Sequence, residues 1–294
     1  MSDPVTIDRA WLDAHPLPTH DGPTDKNARG RVVLVGGAEF VPGGLRLTGE
    51  AALRAGAGKL QMATVGAAAM ALGVLVPEAA MIALPAGDDG EIALAGAAML
   101  TEAIERCDTL VIGPGMSNGE TTAALVAALL GRPREGLSVL LDAAAISGAG
   151  TLDTVIAGHR GRTVMTPHHG EMAALTGIAI EAVSAAPNDA ALLVARRFDA
   201  VVVLKAAQTV IACPDGCLLH YGSDCVGLAT GGSGDVLAGV IGGLMARGAA
   251  PRTAAAWGVW LHGEAGGLAA SRIGPIGFLA RELPPLIPAL LKDR

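Results

Sequence analysis

The chain has 294 residues, of which 51% are hydrophobic and 17% charged, and its formal net charge is −7. This composition indicates a compact protein with a large buried core, and the acidic balance gives no electrostatic footprint for nucleic acid, so we expect none to be bound. Glycine interrupts every long apolar run and the N-terminal residues lack a signal sequence, so we expect a cytoplasmic protein that does not bind membranes.

The first thirty residues are polar and contain several prolines and glycines, which indicates a short helix near Trp11 followed by a loop. From Arg31 onward, β-branched runs alternate with Ala- and Leu-rich stretches of helical spacing. The predicted strands are residues 31–35, 60–64, 79–84, 109–112, 138–141, 163–165 and 201–204. Apolar strands separated by helices predict a parallel sheet covered on both faces. No linker is visible, so we expect one domain over residues 1–294, with residues 1–30 as a lead-in.

The pattern changes after Lys205. Two further strands, residues 209–213 and 217–221, flank a Pro-Asp-Gly turn, which predicts a short antiparallel edge on the sheet. Helices are then expected over the apolar run 236–245 and over residues 253–271 and 278–291. Trp257 and Trp260 on the second of these are interpreted as core residues, and His262 as a structural histidine rather than a ligand.

Glycines and polar residues follow five of the predicted strands. They are Gly36-Gly37, Gly113-Pro114-Gly115, Asp142, Thr166-Pro167-His168 and Lys205. Each alone is explained by a tight turn or a helix cap. The carboxyl ends of parallel strands share one edge of a sheet, where ligands bind, so the whole set predicts a ligand site.

The stretch from Ala229 to Gly239 contains three glycines in four positions, followed by Asp235 and an apolar helix. The first N–H groups of that helix have no partner inside it and could receive a phosphate beside the Asp235 carboxylate. We expect the helix N-terminus to keep Asp235 ionised without a shift of its pKa toward neutral. The alternative is an ordinary helix cap made by Ser233 or Asp235.

These motifs, in this order, resemble the ADP- or ATP-dependent NAD(P)H-hydrate dehydratases of the ribokinase-like superfamily. The resemblance extends from about Lys26 to the last helix. Besides the strand-end residues and residues 230–239, it is carried by Lys26–Gly30, Gly43-Gly44, Ala55–Gly58, Asp142-Ala143, Gly170-Glu171 and Leu204-Lys205. It implies a three-layer α/β/α sandwich with a mostly parallel central sheet. Many bacterial members of the family fuse this domain to an N-terminal epimerase, and we expect no fused epimerase domain here because about thirty residues precede the first strand.

The resemblance also implies roles for individual residues. Asp235 would be catalytic and meet the hydroxyl of the hydrated nicotinamide cofactor. Gly44, Gly115 and His168 would also contact this cofactor. Nucleotide binding would involve Lys205, Ala206, Ala207, Gln208, Thr209, Gly232, Ser233 and Gly234. Glu171 would lie near Mg²⁺, and ADP or ATP would be the co-substrate.

Four positions depart from the family pattern. Gly44 replaces an alanine, Ser117 and Ala206 replace glycines, and Ala144 replaces an aspartate. These changes bear on substrate range and affinity rather than on reaction type.

The reaction implied is phosphorylation of the ring hydroxyl of the S-epimer, followed by elimination of phosphate to restore NADH or NADPH. The resemblance further implies a homo-oligomer, with a tetramer as the suggested form, that works with a separate NAD(P)H-hydrate epimerase. Two alternatives stay open. One is a kinase for a small alcohol such as a sugar or hydroxyethylthiazole, and the other is a nucleotide-binding sensor without turnover.

Overall fold

The computed structural model describes residues 4–19 and 25–292, which form one ten-stranded sheet. The strands are β1 (Val5–Thr6), β2 (Arg31–Val35), β3 (Lys59–Val65), β4 (Ala79–Leu84), β5 (Thr109–Ile112), β6 (Ser138–Leu141), β7 (Thr163–Met165), β8 (Ala200–Leu204), β9 (Gln208–Ala212) and β10 (Leu218–Gly222). Their spatial order is β1-β10-β9-β8-β7-β6-β5-β2-β3-β4. From β8 to β4 all neighbours are parallel, whereas β9 is antiparallel to both β8 and β10. The predicted mostly parallel sheet with antiparallel strands is confirmed.

Strand β1 was not predicted. It pairs in parallel with β10, with Val5 opposite Leu219 and Thr6 opposite His220, so the lead-in segment covers what would otherwise be the outer edge. A strand of two residues is too short to leave an alternating pattern in the sequence. The helix expected near Trp11 is present at Arg9–Ala14.

Helices cover both faces of the sheet. They are α1 (Arg9–Ala14), α2 (Gly43–Arg54), α3 (Gly66–Leu75), α4 (Gly96–Met99), α5 (Thr101–Arg106), α6 (Glu120–Leu130), α7 (Ala144–Ser147), α8 (Asp153–Ala157), α9 (His169–Thr176), α10 (Ile180–Ala185), α11 (Pro187–Phe198), α12 (Ser233–Ala246), α13 (Pro251–Arg272) and α14 (Ile287–Lys292). Helices α11 and α13 both pack against β8 and β9. None of the described helices is long and apolar enough to cross a membrane.

Helix α12 lies at the centre of one helical layer, and all its residues from Val236 to Ala246 are buried. It packs closely on α2 because two glycines face that helix. A Cβ at Gly239 would lie 2.2 Å from the carbonyl oxygen of Thr48, and one at Gly243 would lie 2.5 Å from that of Ala52. Any larger residue would push the two backbones apart. This contact fixes the position of the N-terminus of α12.

The helix predicted over residues 278–291 is wrong in its first half. The structure has two 3-10 turns, Ala280–Glu282 and Pro284–Leu286, before α14 begins at Ile287. Pro284 and Pro285 lack the N–H groups that a continuous helix needs there. The interpretation of Trp257 and Trp260 as core residues is confirmed, since both are buried and their rings meet edge to face at 6.0 Å.

Candidate functional site

The carboxyl ends of the parallel strands meet as predicted. The Gly37 N–H after β2 donates to the carbonyl of Pro114 after β5 at 2.7 Å. The Lys205 N–H after β8 donates to the carbonyl of Pro167 after β7 at 2.8 Å. The five strand-end segments therefore form one continuous surface.

Lys205 is the centre of a cluster of charges. Its Nζ donates to Asp142 Oδ1 at 2.8 Å and lies 3.8 Å from Glu171 Oε2. Asp142 is buried and also accepts a hydrogen bond from Thr166 Oγ1 at 2.7 Å. Burial lowers the pKa of Lys205, but Asp142 and Glu171 more than offset this, so that its pKa lies above the ordinary value. Lys205 is thus a charged ammonium held inside the site, rather than a side chain extended to water.

The N-terminus of α12 is not capped by a side chain. Its N-cap is Gly232, with φ at +89°, and neither Ser233 nor Asp235 makes a capping hydrogen bond. The alternative of an ordinary Ser or Asp cap is therefore wrong. Among the hydrogen bonds of the described residues, the N–H of Ser233 donates to Thr230 O, whereas those of Gly234 and Asp235 donate to no backbone carbonyl. These two free N–H groups are available to an anion.

The Asp235 carboxyl departs from the expected ionisation. Burial, reinforced by the nearby Asp142 charge, raises its pKa to about 7, and Lys205 only partly opposes this. The expectation that the helix N-terminus would hold this pKa at its ordinary value is wrong, because removal from water outweighs the helix dipole here. A carboxylate with such a pKa is a much stronger base than an exposed one.

Two predicted substrate-binding glycines lie beside Asp235. A Cβ at Gly44 would be 3.1 Å from both carboxylate oxygens of Asp235 and 3.1 Å from the backbone nitrogen of Gly115. Gly115 has φ at +71°, and a Cβ there would be 2.6 Å from Val41 O. An alanine at position 44 would therefore be in tight contact with the Asp235 carboxylate and the Gly115 nitrogen, which would have to shift by a few tenths of an ångström.

His168 and Glu171 form a capping box at the start of α9. His168 Nδ1 accepts from the N–H groups of Gly170 and Glu171 at 2.9 and 3.1 Å, so the proton of the neutral ring is on Nε2. The imidazole is 58% exposed, which leaves this Nε2–H accessible to a ligand. Glu171 Oε2 accepts from the His168 N–H at 2.8 Å, and its Oε1 lies 3.5 Å from His168 Nε2.

A cavity of about 860 Å³ opens next to Lys205 and the start of α12. Six of the predicted nucleotide-binding residues line it, namely Lys205, Ala206, Ala207, Thr209, Ser233 and Gly234, together with His168. Gln208 and Gly232 are not among the lining residues, and the Gln208 side chain lies against Gly222 instead.

Several lining residues of the cavity were not predicted. Val226, Leu228, Leu237 and Val259 give it an apolar wall, and Tyr221, Ser223 and Asp224 lie at the end of β10. Strand β10 is antiparallel to β9, so the rule that ligands bind at the carboxyl ends of parallel strands did not extend to the three residues at its end. Tyr221, the sole tyrosine of the chain, was the one signal available in the sequence.

The fold is that of the ribokinase-like class. A ribokinase-like protein from Enterococcus faecalis has the same fold, with a TM-score of 0.83, 24% identity and coverage of 98% of this chain and 95% of that one. An ADP/ATP-dependent NAD(P)H-hydrate dehydratase from Bacillus subtilis, co-crystallised with ATP and Mg²⁺, has a TM-score of 0.82 and 28% identity, covering 100% and 99% of the two chains.

Sequence comparison gives the family. The family of NAD(P)H-hydrate dehydratases matches residues 32–289 of this chain. An ADP-dependent (S)-NAD(P)H-hydrate dehydratase of Xanthomonas campestris is 47% identical over 287 residues, which are 97% of this chain and 96% of that protein. The chain belongs to the NAD(P)H-hydrate dehydratase family.

Proposed function

We propose that this chain catalyses the nucleotide-dependent dehydration of the S-epimer of hydrated NADH and NADPH, a metabolite-repair reaction. The observation that carries the proposal is the position of Asp235. This strongly basic carboxylate lies beside the open backbone of Gly44 and Gly115 and at the helix end where N–H groups are free. The similar proteins from X. campestris and B. subtilis have the same activity in their names.

The chemistry follows from the poor leaving ability of hydroxide. Asp235 accepts the proton of the ring hydroxyl while the hydroxyl oxygen attacks the terminal phosphorus of the nucleotide. The bond from that phosphorus to the bridging oxygen breaks, and AMP leaves from ADP or ADP from ATP. The C–O bond then breaks with loss of phosphate, and loss of a proton from the neighbouring ring carbon restores the dihydronicotinamide. The N–H groups of Gly234 and Asp235 and the Lys205 ammonium stabilise the charge on the phosphoryl group during transfer.

The proposed cavity for the nucleotide is the one beside Lys205. Its apolar wall suits a base and the backbone of Lys205 to Thr209 suits the sugar and phosphates, in keeping with the roles predicted for those residues. ADP is the co-substrate we propose first, because the X. campestris relative is named as ADP-dependent, and ATP is the alternative that the B. subtilis enzyme supports.

The donor set fits Mg²⁺ that is held mainly by phosphates and water. Within residues 4–19 and 25–292, no three His, Cys, Asp or Glu side chains are arranged to hold a metal ion. Mg²⁺ needs only one or two protein carboxylates beside nucleotide phosphates. Glu171 would supply one, although both of its oxygens face His168, Oε2 accepting from the backbone N–H and Oε1 lying 3.5 Å from Nε2. When bound, the ion would neutralise phosphate charge.

The proposal extends to the setting of the reaction. An enzyme specific for the S-epimer leaves the other epimer untouched, so an NAD(P)H-hydrate epimerase is its expected partner activity. The free thiols of Cys107, Cys213, Cys217 and Cys225 support a reducing compartment such as the cytoplasm. We also propose a homo-oligomer, supported by an exposed apolar face on α3.

The test is to incubate the protein with chemically prepared NADH hydrate and either ADP or ATP, and to follow the absorbance of the restored dihydronicotinamide. We expect recovery that requires both nucleotide and Mg²⁺ and that stops when the S-epimer is used up. A stable phosphorylated product from a sugar or hydroxyethylthiazole, without recovery from the hydrate, would favour the small-alcohol kinase. Nucleotide binding without consumption would favour the sensor.

A further inference from the structure

His262 on α13 reaches the first residue of α12. Its Nε2 lies 2.9 Å from Ser233 Oγ and 3.0 Å from the carbonyl oxygen of the same residue. His262 and Ser233 both line the large cavity, together with Lys205 and Gly234. The sequence analysis interpreted His262 as a structural histidine, and its hydrogen bonds to Ser233 also place it on the wall of this cavity.

The two distances determine where the imidazole proton is. A carbonyl oxygen can only accept a hydrogen bond, and a lone pair on Nε2 facing it at 3.0 Å would be repelled. Nε2 therefore carries the hydrogen and shares it between the carbonyl oxygen and Oγ of Ser233. Burial lowers the pKa of His262 to about 4, so the ring stays neutral near pH 7 and keeps this arrangement.

The consequence concerns the hydroxyl group of Ser233. Because Oγ accepts from His262, its own hydrogen is free to be donated elsewhere. The backbone N–H of Ser233 already donates to Thr230 O, so the hydroxyl is the donor that this residue can offer to a ligand. It lies next to the free N–H groups of Gly234 and Asp235. Lys205 Nζ is also close, 3.4 Å from the position of a Cβ on Gly234.

We propose that His262 is a positioning residue that orients the Ser233 hydroxyl as a hydrogen-bond donor to the transferring phosphoryl group. The inference rests on the proposed function and adds to it a donor that is held in place by a second helix. A donor fixed before the reaction stabilises developing charge without reorganisation, and removal of one such donor typically lowers kcat by about 10²- to 10³-fold. His262 acts through Ser233 and does not itself contact the substrate.

The test uses His262→Leu, His262→Gln, Ser233→Ala and the double variant of His262→Leu with Ser233→Ala. We expect Ser233→Ala to lower kcat by about 10²-fold and His262→Leu by about 10-fold, with the nucleotide KM within a few-fold of wild type. Glutamine can place an N–H near the position of Nε2, so His262→Gln should recover most of the loss. In the Ser233→Ala background, His262→Leu should have little further effect on kcat. Full additivity in the double variant, or equal loss with Leu and Gln, would overturn the proposal.

The matched control is His159→Gln. His159 is fully buried, and its Nε2 lies 3.1 Å from the carbonyl oxygen of Leu130, but it does not line the cavity. Its substitution should change the melting temperature and leave kcat as in wild type. If His262→Leu behaves like this control, His262 is a structural residue and the proposal fails.

A second measurement does not depend on the hydrate. Orthovanadate, which mimics a transferring phosphoryl group, is titrated in the presence of AMP. We expect His262→Leu and Ser233→Ala each to bind vanadate at least 10-fold more weakly than wild type, with unchanged affinity for AMP. Vanadate binding that is no tighter in wild type than in Ser233→Ala contradicts the inference. A wild-type protein that binds vanadate in this way but restores no hydrate would instead contradict the proposed function.

Discussion

Burial of Asp235 lowers the stability of the folded protein and makes the carboxylate a stronger base. Because its pKa is about 7, the Asp235 carboxyl is protonated in roughly half of the protein molecules at pH 7. Burial beside Asp142 produces this shift, and the same burial makes the ionised form a strong base. The sequence identified the residue from its place after three glycines. It could not predict the pKa, because burial of the carboxyl and the charges of Asp142, Lys205 and Glu171 depend on segments distant in the chain.

We predict that Asp235→Asn lowers kcat by about 10²- to 10⁴-fold, because the general base is lost while the shape of the side chain is kept. The affinity for ADP should stay near that of wild type. In wild type, kcat/KM should rise with pH and reach half its maximum near pH 7, where the base ionises. Turnover of the variant within a few-fold of wild type, at unchanged pH dependence, would remove Asp235 from the mechanism.

Asp235→Asn lowers activity, but it should raise the stability of the folded protein at high pH. The pKa of Asp235 is raised from 3.8 in the unfolded chain to about 7 in the folded one, so folded protein binds more protons between these values and loses stability as pH rises through them. The loss is complete above pH 7 and amounts to roughly 4 kcal/mol at most. Asp235→Asn should therefore raise the unfolding free energy at pH 8 and give no such gain at pH 4.

Urea unfolding at the two pH values measures this difference. Asp88→Asn, in the exposed loop after β4, is the control, and it should show no gain specific to pH 8. An Asp235→Asn variant equally stable relative to wild type at both pH values would show that the carboxyl is not desolvated in the folded protein.

Lys205 and Asp142 should be coupled in stability. Lys205→Met leaves the buried Asp142 carboxylate without its cation and should cost about 3 to 5 kcal/mol. Adding Asp142→Asn removes the unpaired charge and should recover much of this loss. ADP affinity should fall in both variants, because the ammonium is absent from the cavity. Urea unfolding with an ADP titration tests this, and additive losses of stability in the double variant would contradict the pairing.

At the scale of single elements, most of the parallel strands were predictable because their residues are apolar on both faces. The glycines and polar residues that follow these strands indicated the site, because the carboxyl ends of parallel strands lie at one edge of the sheet. Elements whose conformation depends on distant partners escaped prediction. Strand β1 exists only through β10, and Ala143, next to Asp142, is held at a φ of 49° that an alanine does not adopt by local preference.

Substitutions of His168 distinguish its role as the cap of α9 from its role in binding the hydrate. His168→Ala removes both the Nδ1 acceptor that caps the helix and the exposed Nε2–H, whereas His168→Asn can still cap it. We expect only the Ala variant to lose stability, by about 1 kcal/mol. Both variants should raise the KM for the hydrate several-fold and leave that for ADP unchanged. An increase in KM confined to His168→Ala would show that the residue acts as a cap alone.

At the scale of the whole molecule, the described strands leave two edges to the sheet, the two-residue β1 and the six-residue β4. Among these strands, β4 pairs with β3 alone and is the longer edge. The exposed positions of the neighbouring α3 are all apolar, and Met70 is 83% and Val74 77% exposed. An open strand beside an apolar helix is a typical surface for pairing with another chain. Two copies of one strand can pair antiparallel about a twofold axis, so this surface is complementary to itself.

We therefore predict that the protein is a homo-oligomer and that Met70→Lys together with Val74→Lys disrupts it. The two lysines would be buried against their own copies across the twofold axis, where like charges repel, while in the monomer they lie on an exposed helix and leave folding intact. Light scattering on wild type should give a multiple of the 29.3 kDa chain mass, and the variant should lose at least half of that assembled mass. Leu193→Lys on α11, which replaces a residue 51% exposed away from this face, is the control and should keep the assembly. A wild-type mass of one chain at every concentration, or an assembly unaffected by the paired lysines, would contradict the prediction. In the second case the subunits would have to associate through another surface, leaving the edge of β4 open.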